Sequence, residues 1–277
     1  MNKLRVLSLF AGIGGFDLGL ERTGGFKTVA FCEIEEFPRR VLAKHWPEVP
    51  CYHDVRELTG ARLAADGITV DVITGGFPCQ DISVAGKQAG IGEGTRSGLW
   101  SEIVRLVGEL RPQFVIVENV ANLLAGPSGK PGGWFGRILG DLAECGYDAE
   151  WENIPASALG APHRRERIWL VAYTTEIRRN ISSATNECKH AEPSEKRWMQ
   201  QFGGMGYGAA LFSKPSASYI KRFGNWFDAK PASFRMADGV PDGLDRLASL
   251  GNAVVPQIPE LIGHAILDAI KSKRIAA

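Results

Sequence analysis

Residues 4–15 have the sequence Leu4-Arg5-Val6-Leu7-Ser8-Leu9-Phe10-Ala11-Gly12-Ile13-Gly14-Gly15. The apolar run at the start predicts a buried strand, and the glycines after it predict a tight turn. Residues 16–21 then have the pattern of a helix. A glycine turn between a strand and a helix places backbone N–H groups and a helix N-terminus where they can contact a ligand.

The alternation of strand and helix continues along the chain. Apolar runs predict further strands at 27–32, 70–74, 114–120 and 168–172, and helical periodicity predicts helices at 37–46, 98–110, 134–145 and 259–270. Strands that alternate with helices are typical of an α/β protein whose parallel sheet is covered by helices on both faces.

Composition limits the class of protein more than it indicates a function. The 277 residues carry a net charge of +1 and are 44% hydrophobic, which suits one large domain or one domain plus a small one. The five cysteines include no C-x-x-C pair, which argues against a disulfide framework and against a zinc site. No apolar run has the length of a signal peptide or a membrane span, so we expect a soluble cytoplasmic protein.

The character of the sequence changes near residue 173. Residues 173–235 have no sustained periodicity and contain ten Lys and Arg against five Asp and Glu. Aromatic residues are interleaved with these charges, among them Trp198, Tyr207 and Trp226. Two interpretations remain open: a disordered insert with incidental charge, or a segment that faces a nucleic acid.

Acidic residues follow the predicted strands that lie next to the glycine turn. A dinucleotide fingerprint would need a third glycine at position 17, where Asp17 stands, so a pyrophosphate ligand is disfavoured. Glu33 ends the second strand, where a carboxylate can accept hydrogen bonds from ribose hydroxyls. Asp54 follows a third short strand and suits an adenine amine. The set favours S-adenosylmethionine over NAD, although a turn without a ligand and surface carboxylates would give the same residues.

A single cysteine follows the buried strand at 70–74, in a segment that we call the cysteine loop: Gly75-Gly76-Phe77-Pro78-Cys79-Gln80-Asp81-Ile82-Ser83. The two glycines and the proline predict a tight loop, which favours Cys79 as a nucleophile. The other cysteines are interpreted as small buried hydrophobic residues, and they are Cys32, Cys51, Cys145 and Cys188.

Polar residues near two later strands are candidates for the same cleft. Glu118 and Asn119 end the strand at 114–120, and we expect them to face Cys79. Arg165 and Arg167 alternate before the last strand, so both can project to one side of it. The competing interpretation of residues 164–167 is a solvated charged turn.

Five motifs in order carry a family resemblance: Phe10-Ala11-Gly12-Ile13-Gly14-Gly15-Phe16, Gly76-Phe77-Pro78-Cys79-Gln80, Glu118-Asn119-Val120, His163-Arg164-Arg165-Glu166-Arg167 and Leu250-Gly251-Asn252-Ala253-Val254-Val255-Pro256. The set resembles the DNA (cytosine-5) methyltransferases of bacteria and phages, over about residues 4–172 and 237–270. The resemblance implies a doubly wound, mostly parallel sheet of the S-adenosylmethionine-dependent methyltransferase fold, with a small irregular target-recognition subdomain.

The resemblance implies covalent catalysis on a cytosine that is flipped out of duplex DNA. The Cys79 thiolate would add to C6 of the ring, and Glu118 would hydrogen-bond or protonate N3. Arg165 resembles the arginine that contacts the O2 side of cytosine, and Arg167 resembles its supporting partner. Asn119 would anchor either Glu118 or the cysteine loop.

The resemblance also implies the residues that bind the cofactor and the DNA. Those implied for S-adenosylmethionine are Phe10, Ala11, Gly12, Gly14, Gly15, Glu33, Ile34, Asp54, Pro78, Leu99, Asn252 and Val254. Those implied for DNA are Gln80, Ser83, Arg96 and His163, the last of which stands where the family usually has glutamine. Residues 80–97, rich in glycine, match a loop that closes over the flipped base.

The predicted organisation has three parts: a catalytic and cofactor-binding domain at 1–172, a short target-recognition region at 173–249, and a C-terminal segment at 250–277 that packs back on the catalytic domain. The expected partner is duplex DNA and the expected state is a monomer. Methylation of transfer RNA and a non-catalytic DNA binder remain as alternatives. Whether a cognate restriction endonuclease accompanies the protein is also open.

Overall fold

Seven strands form one sheet in the computed structural model, which describes residues 2–77, 99–124, 133–159, 161, 164–177 and 253–275. In chain order they are β1 Leu4–Leu9, β2 Phe26–Cys32, β3 Cys51–Tyr52, β4 Val72–Gly75, β5 Phe114–Val120, β6 Tyr147–Pro155 and β7 Glu166–Thr174. The order across the sheet is β3-β2-β1-β4-β5-β7-β6. Strands β1 to β5 are parallel to one another, and β7 lies between β5 and β6 and is antiparallel to both.

Helices cover both faces of the sheet. They are α1 Gly15–Arg22, α2 Glu36–His45, α3 Gly60–Ala65, α4 Trp100–Leu110, α5 Gly133–Glu144 and α6 Gln257–Ile275. On one face, α1 and α6 pack with Phe16, Leu20 and Ile262 against the sheet, and we call this the α1/α6 face. On the other, which we call the α4/α5 face, Ile103 and Ile138 pack against Leu7 and Val115. The prediction of a doubly wound, mostly parallel α/β sheet is confirmed.

Two elements were not predicted from the sequence. Strand β6 lies at the edge of the sheet and alternates apolar and polar residues from Tyr147 to Glu152. That alternation is typical of a half-buried strand, whereas the predicted strands are continuous apolar runs. Helix α3 has only six residues, begins at a Thr59 cap and buries Leu63 alone. The last two strands also depart from the predicted alternation of strands and long helices. Only a short 3-10 helix, Ala156–Leu159, connects β6 to β7, and the two strands pair antiparallel.

The C-terminal helix α6 lies against α1. A Cβ atom at Gly19 of α1 would meet the carbonyl oxygen of Pro256, so the close approach of the two segments requires glycine there. Ile258, Ile262 and Ile266 are buried in the same apolar cluster as Phe16. The segment around Val254 is therefore held against the helix that follows the glycine turn.

The arrangement places a crevice at one edge of the sheet. The strand order reverses between β1 and β4, because the chain winds outward from β1 through β2 to β3 before it returns to β4. In open α/β sheets, ligands bind at the carboxyl ends of the strands at such a reversal. Within the part of the chain that the structure describes, no helix combines the length and the apolar character needed to cross a membrane.

Candidate functional site

The candidate residues converge at this edge because of strand polarity. The glycine turn follows β1, Glu33 follows β2, and Gly76 follows β4. Glu118 and Asn119 lie near the end of β5, and Arg167 is the second residue of the antiparallel β7, where it pairs with Val120. Carboxyl ends of parallel strands and the amino end of an antiparallel one meet at the same edge.

An ion pair occupies the end of β5. Arg167 Nε lies 3.0 Å from Glu118 Oε1, and the two side chains are only 24% and 12% exposed. On the other side, a Cβ atom placed on Gly76 would lie 3.2 Å from Glu118 Oε2. The carboxylate is thus enclosed between the arginine and the backbone that leads into the cysteine loop.

The enclosed position changes the pKa of Glu118. Burial raises the pKa of the Glu118 carboxyl, while the guanidinium groups of Arg167 and Arg165 oppose that rise. A glutamic acid with a raised pKa can hold a proton nearer neutral pH than a solvated one. The site therefore contains a group that can donate or hold a proton at this position.

Asn119 fixes the start of the cysteine loop. Its Nδ2 donates a 3.1 Å hydrogen bond to the carbonyl oxygen of Phe77, and its Oδ1 accepts a 2.8 Å bond from the amide of Val120. Of the two partners expected from the sequence, the contact is with the loop and not with Glu118. Phe77 precedes Cys79 by two residues, so Asn119 orders the backbone that approaches the thiol.

Arg165 joins the reactive end to the C-terminal segment. Its backbone has a positive φ of 29°, and its Nη2 donates a 2.7 Å hydrogen bond to the carbonyl oxygen of Ala253. A positive φ is strained for an arginine, so surrounding contacts must hold it. Burial lowers the pKa of the Arg165 guanidinium and Arg167 lowers it further, whereas Glu118 raises it.

The conformation of the glycine turn depends on glycine and on contacts with neighbouring residues. Gly12 and Gly14 have φ values of 55° and 83°, which explains why glycine occupies both positions. The amide of Gly12 donates a 2.7 Å hydrogen bond to Glu33 Oε2. A Cβ atom at Gly12 would meet nothing within 4 Å, whereas one at Gly14 would collide with the ring of Trp46.

Glu33 is fixed with acceptor capacity to spare. Its Oε1 accepts a 2.9 Å hydrogen bond from the amide of Glu35, so each oxygen has one backbone donor and a further lone pair. Ile34 beside it is 47% exposed, which leaves apolar surface next to the carboxylate. This donor and acceptor set, with the open space over Gly12, fits a nucleoside with a vicinal diol.

The remaining cofactor candidates lie around the same crevice. Phe10 has a φ of 52°, and it and Leu99 pack partly buried against the main core. Val254 contacts Gly15, whose missing side chain makes room for the Val254 carbonyl group. Ala11 donates its amide to the carbonyl oxygen of Cys32 at 3.3 Å, which ties the turn to β2.

Asp54 is engaged by a neighbour that the sequence did not indicate. Arg56 Nε and Nη2 lie 3.0 Å and 2.6 Å from its two carboxylate oxygens. The hydrogen bond from Arg56 holds the pKa of the Asp54 carboxyl below its usual range. A cofactor amine at Asp54 would have to share the carboxylate with this guanidinium.

Several predicted site residues lie outside the described residues: Pro78, Cys79, Gln80, Ser83, Arg96, His163, Cys188 and Asn252. The loop at 80–97 and all of the recognition region beyond residue 177 also lie outside them. Of the cysteines that the structure describes, Cys32, Cys51 and Cys145 are free thiols. The interpretation as small buried hydrophobic residues holds for Cys32 and is wrong for Cys51 and Cys145, which are only partly buried. Burial raises the pKa of Cys32 to about 12 and also raises those of Cys51 and Cys145, which lowers the fraction of thiolate at each.

Sequence reasoning missed three groups that shape the site. Trp46 packs on Gly14 and donates a 3.0 Å hydrogen bond to Glu21, the Ala253 carbonyl holds Arg165, and Asp17 is completely buried. The signal for Asp17 was present, because an acid stands where a dinucleotide fingerprint has glycine. The other two have no sequence signal, since they depend on segments that meet only in the fold.

Comparison with known proteins gives a consistent family. Residues 4–213 match the model of the family described as C-5 cytosine-specific DNA methylase. The chain is 34% identical to the Type II methyltransferase M2.BsuMI of Bacillus subtilis over 194 residues, which are 69% of this chain and 46% of that protein. It is 35% identical to the Type II methyltransferase M.Sau3AI of Staphylococcus aureus over 198 residues, or 68% of this chain and 47% of that protein.

A solved structure matches as well. It is a protein of an Escherichia coli prophage assigned as a DNA modification methyltransferase, with a TM-score of 0.53 and 28% identity over 64% of this chain and 48% of that one. The chain spans about half the length of the curated relatives that it matches.

Proposed function

Because the chain belongs to the C-5 cytosine-specific DNA methylase family, we propose that it transfers a methyl group from S-adenosylmethionine to C5 of a cytosine within a specific sequence of duplex DNA. The observation that carries the proposal is the enclosed Glu118–Arg167 ion pair, which lies beside the backbone leading to Cys79. A proton-holding acid next to a nucleophile is what attack on a cytosine ring requires.

The residues around the glycine turn would hold the cofactor. Glu33 accepts hydrogen bonds from the ribose hydroxyls, and Ile34 offers apolar surface to the adenine ring. Asp54 would accept a hydrogen bond from the adenine amine and would share its carboxylate with Arg56. When bound there, S-adenosylmethionine supplies an electrophilic methyl group. Backbone around residues 10–15 and the segment at Val254 close the remaining sides.

Cys79 and Glu118 activate the cytosine together. The Cys79 sulfur donates an electron pair to C6, the C5–C6 double bond opens toward C5, and Glu118 places a proton on N3 to neutralise the developing charge. C5 would then use its electron pair to form the new bond to the methyl carbon, as the bond from that carbon to the cofactor sulfur breaks and its electrons stay on the sulfur as a neutral thioether. A base removes the C5 proton, the double bond returns, and the Cys79 thiolate leaves C6 as N3 gives its proton back. The cytosine must leave the base stack for these atoms to be reached.

Arg165 and Arg167 have different roles in the proposed mechanism. Arg165 reaches the O2 side of the cytosine from a position fixed by Ala253, and Arg167 keeps Glu118 oriented. Asn119 sets the backbone before Cys79. The residues that would contact DNA are Gln80, Ser83, Arg96 and His163. The target sequence would be selected by residues 173–249.

The relatives are Type II methyltransferases, so a short defined target sequence is the expected substrate, with a restriction endonuclease as a separate partner. Transfer of tritiated methyl groups tests the substrate. Duplex DNA carrying many different sequences should become labelled and transfer RNA should not. Label found only in transfer RNA would overturn the choice of substrate.

Trapping tests the covalent step. Duplex DNA that contains 5-fluorocytosine at the target site should form a stable adduct with the protein, because fluorine at C5 cannot leave as a proton does. Cys79→Ser should abolish the adduct and methylation, while calorimetry shows that S-adenosylmethionine still binds. A wild-type protein that forms no adduct on DNA that it methylates would refute the role of Cys79.

A further inference from the structure

Strand β2 contains an extra residue beside the glycine-turn strand. Val6 pairs with Thr28, but the next residue, Leu7, pairs with Ala30, so that Val29 is an insertion in the β1–β2 ladder. An insertion of this kind is a β-bulge, and bulges next to active sites change the direction in which side chains point. The pairing beyond it continues without a gap to Leu9 and Cys32.

The bulge exchanges the two faces of β2. Before it, the even-numbered Phe26 is buried on the α1/α6 face. After it, the even-numbered Ala30 and Cys32 are buried on the α4/α5 face. Odd-numbered residues after the bulge therefore face α1, and Glu33 is the next of them. Without the bulge, a shift of one residue would turn Glu33 away from Gly12.

Two acids of α1 hold the bulge in place. Glu21 Oε1 accepts a 3.0 Å hydrogen bond from the amide of Thr28, and Asp17 Oδ1 accepts a 2.9 Å bond from the Thr28 hydroxyl. Asp17 Oδ2 accepts a second 2.9 Å bond from the hydroxyl of Ser8 on β1. Asp17, Ser8 and Thr28 are at most 1% exposed.

We propose that Asp17 is a positioning residue for the cofactor: with Ser8 and Thr28 it locks the bulge that aims Glu33 at the glycine turn. The proposal rests on the proposed function, because it assigns Glu33 to the ribose. The Asp17 carboxylate joins Ser8 of β1, the strand that leads into the glycine turn, to Thr28 of β2, the strand that leads to Glu33. Its partners are buried hydroxyls, so water cannot replace them if one is removed.

The burial of this acid is costly, which argues that the site needs it. Burial raises the pKa of Asp17 to about 6, even though the hydroxyls of Ser8 and Thr28 both lower it. An apolar side chain at position 17 would avoid the cost of burying a carboxylate and could still pack between α1 and the sheet. The acid is therefore best explained by the two hydroxyls that it holds and the backbone that they carry.

Thr28→Val tests the proposal, since valine has the shape of threonine without the hydroxyl. In the full chain, calorimetry should show an S-adenosylmethionine dissociation constant raised about tenfold. The KM for the cofactor should rise with it, while kcat at saturating cofactor stays near the wild-type value. Thr28→Ser keeps the hydroxyl and should restore wild-type affinity. If Thr28→Val does not fold, Ser8→Ala removes the other donor to Asp17 and should raise the dissociation constant in the same direction.

Tyr173→Phe is the matched control. It also removes one hydroxyl that is hydrogen-bonded to a buried carboxylate, that of Glu150 at 2.8 Å, but it lies away from the cofactor crevice. Tyr173→Phe should lower the melting temperature and leave cofactor affinity unchanged. Equal affinity in Thr28→Val, Tyr173→Phe and wild type would overturn the proposal.

A double-mutant cycle separates positioning from general destabilisation. If Thr28 acts through Glu33, Thr28→Val should weaken binding little further in a Glu33→Gln background. Fully additive effects of the two changes would overturn the proposal while leaving the proposed function intact. A wild-type chain that binds no S-adenosylmethionine would overturn the proposed function and this inference together.

Discussion

At the cofactor end of the site, hydrogen-bond partners lie close together in the sequence, whereas at the reactive end they lie far apart. Ser8 and Thr28 are 9 and 11 residues from Asp17, and Gly12 is 21 residues from Glu33. At the reactive end, Asn119 holds Phe77 across 42 residues, and Arg165 holds Ala253 across 88. One strand–turn–helix–strand unit thus builds the first end, while three remote segments build the second.

The difference shows how the two ends respond to change. The cofactor end depends on backbone register, which hydroxyls and glycines secure. The reactive end depends on charges brought together by β5, β7 and the C-terminal segment, with little water to screen them. Substitutions at the reactive end should therefore affect the rate of chemistry most, and those at the cofactor end should affect affinity and stability.

Among the residues that the structure describes, the largest effect is expected for Glu118→Gln. Glutamine keeps the shape but cannot give a proton to N3, so single-turnover methyl transfer should slow by about 10²–10³-fold. Cofactor affinity should change little. The matched control is Glu150→Gln, a buried carboxyl on β6 bonded by Tyr173, which should leave the rate unchanged. A rate retained in Glu118→Gln would remove the acid from the proposed mechanism.

Arg167→Gln should alter the pH dependence of the same step. The arginine lowers the pKa of Glu118, so its removal should raise that pKa further. If the protonated acid is the active form, activity is lost as the pH rises through this pKa. The alkaline limb of the rate profile should therefore move to higher pH in Arg167→Gln. A limb that moves to lower pH would contradict the assignment.

Asp17→Asn should change how stability depends on pH. The folded-state pKa of Asp17 is about 6 against an ordinary 3.8, so the folded chain keeps this proton after the unfolded chain has lost it. The contribution to stability is complete below pH 3.8 and is lost as the pH rises through about 6. Relative to Asp17→Asn, wild type should gain up to roughly 3 kcal/mol as the pH falls across this window.

Urea denaturation at several pH values measures this difference in the free energy of unfolding. Asp66→Asn is a control for which we expect the opposite dependence of stability on pH. The Tyr52 hydroxyl and Arg62 hold the pKa of Asp66 below its ordinary 3.8, so that wild type should lose stability relative to Asp66→Asn as the pH falls below that value. Curves for Asp17→Asn that run parallel to wild type between pH 4 and 6 would show that the buried acid does not titrate in this range.

The smallest effect is expected for Arg56→Ala. Its removal frees the Asp54 carboxylate for the adenine amine, so affinity for S-adenosylmethionine should tighten by no more than about fivefold. Calorimetry measures the change, and Arg62→Ala, which breaks the pair with Asp66, is the control. Weaker binding in Arg56→Ala would show that the guanidinium holds Asp54 in its binding orientation.

Much of the sheet followed from local pattern. The strands at β1, β2, β4, β5 and β7 are apolar runs, because strands covered on both faces bury most of their side chains. The glycines of the first turn predicted its position, because the positive φ values of Gly12 and Gly14 are strained for other residues. Strand β6 escaped prediction, since polar residues such as Glu152 and Asn153 leave it without a continuous apolar run.

In the candidate site, too, some features were predicted from the sequence and others were not. Glu33 was predicted beside the glycine turn, and the structure places its carboxylate on the Gly12 amide. The alternation of Arg165 and Arg167 predicted that both can project to one side of the strand; in the structure Arg167 contacts Glu118, and Arg165 donates to the carbonyl oxygen of Ala253. No sequence spacing indicates that division, because it depends on which segment each guanidinium meets.

The sequence by itself determined the α/β class, the position of the glycine turn and the residue types of the site, because periodicity and backbone restriction are local properties of the chain. The tertiary structure decided the antiparallel position of β7, the partners of the two arginines and the bulge that turns Glu33 toward α1. These features depend on hydrogen bonds and charges between segments that meet only after the sheet has formed, and their energies are absent from any short stretch of sequence.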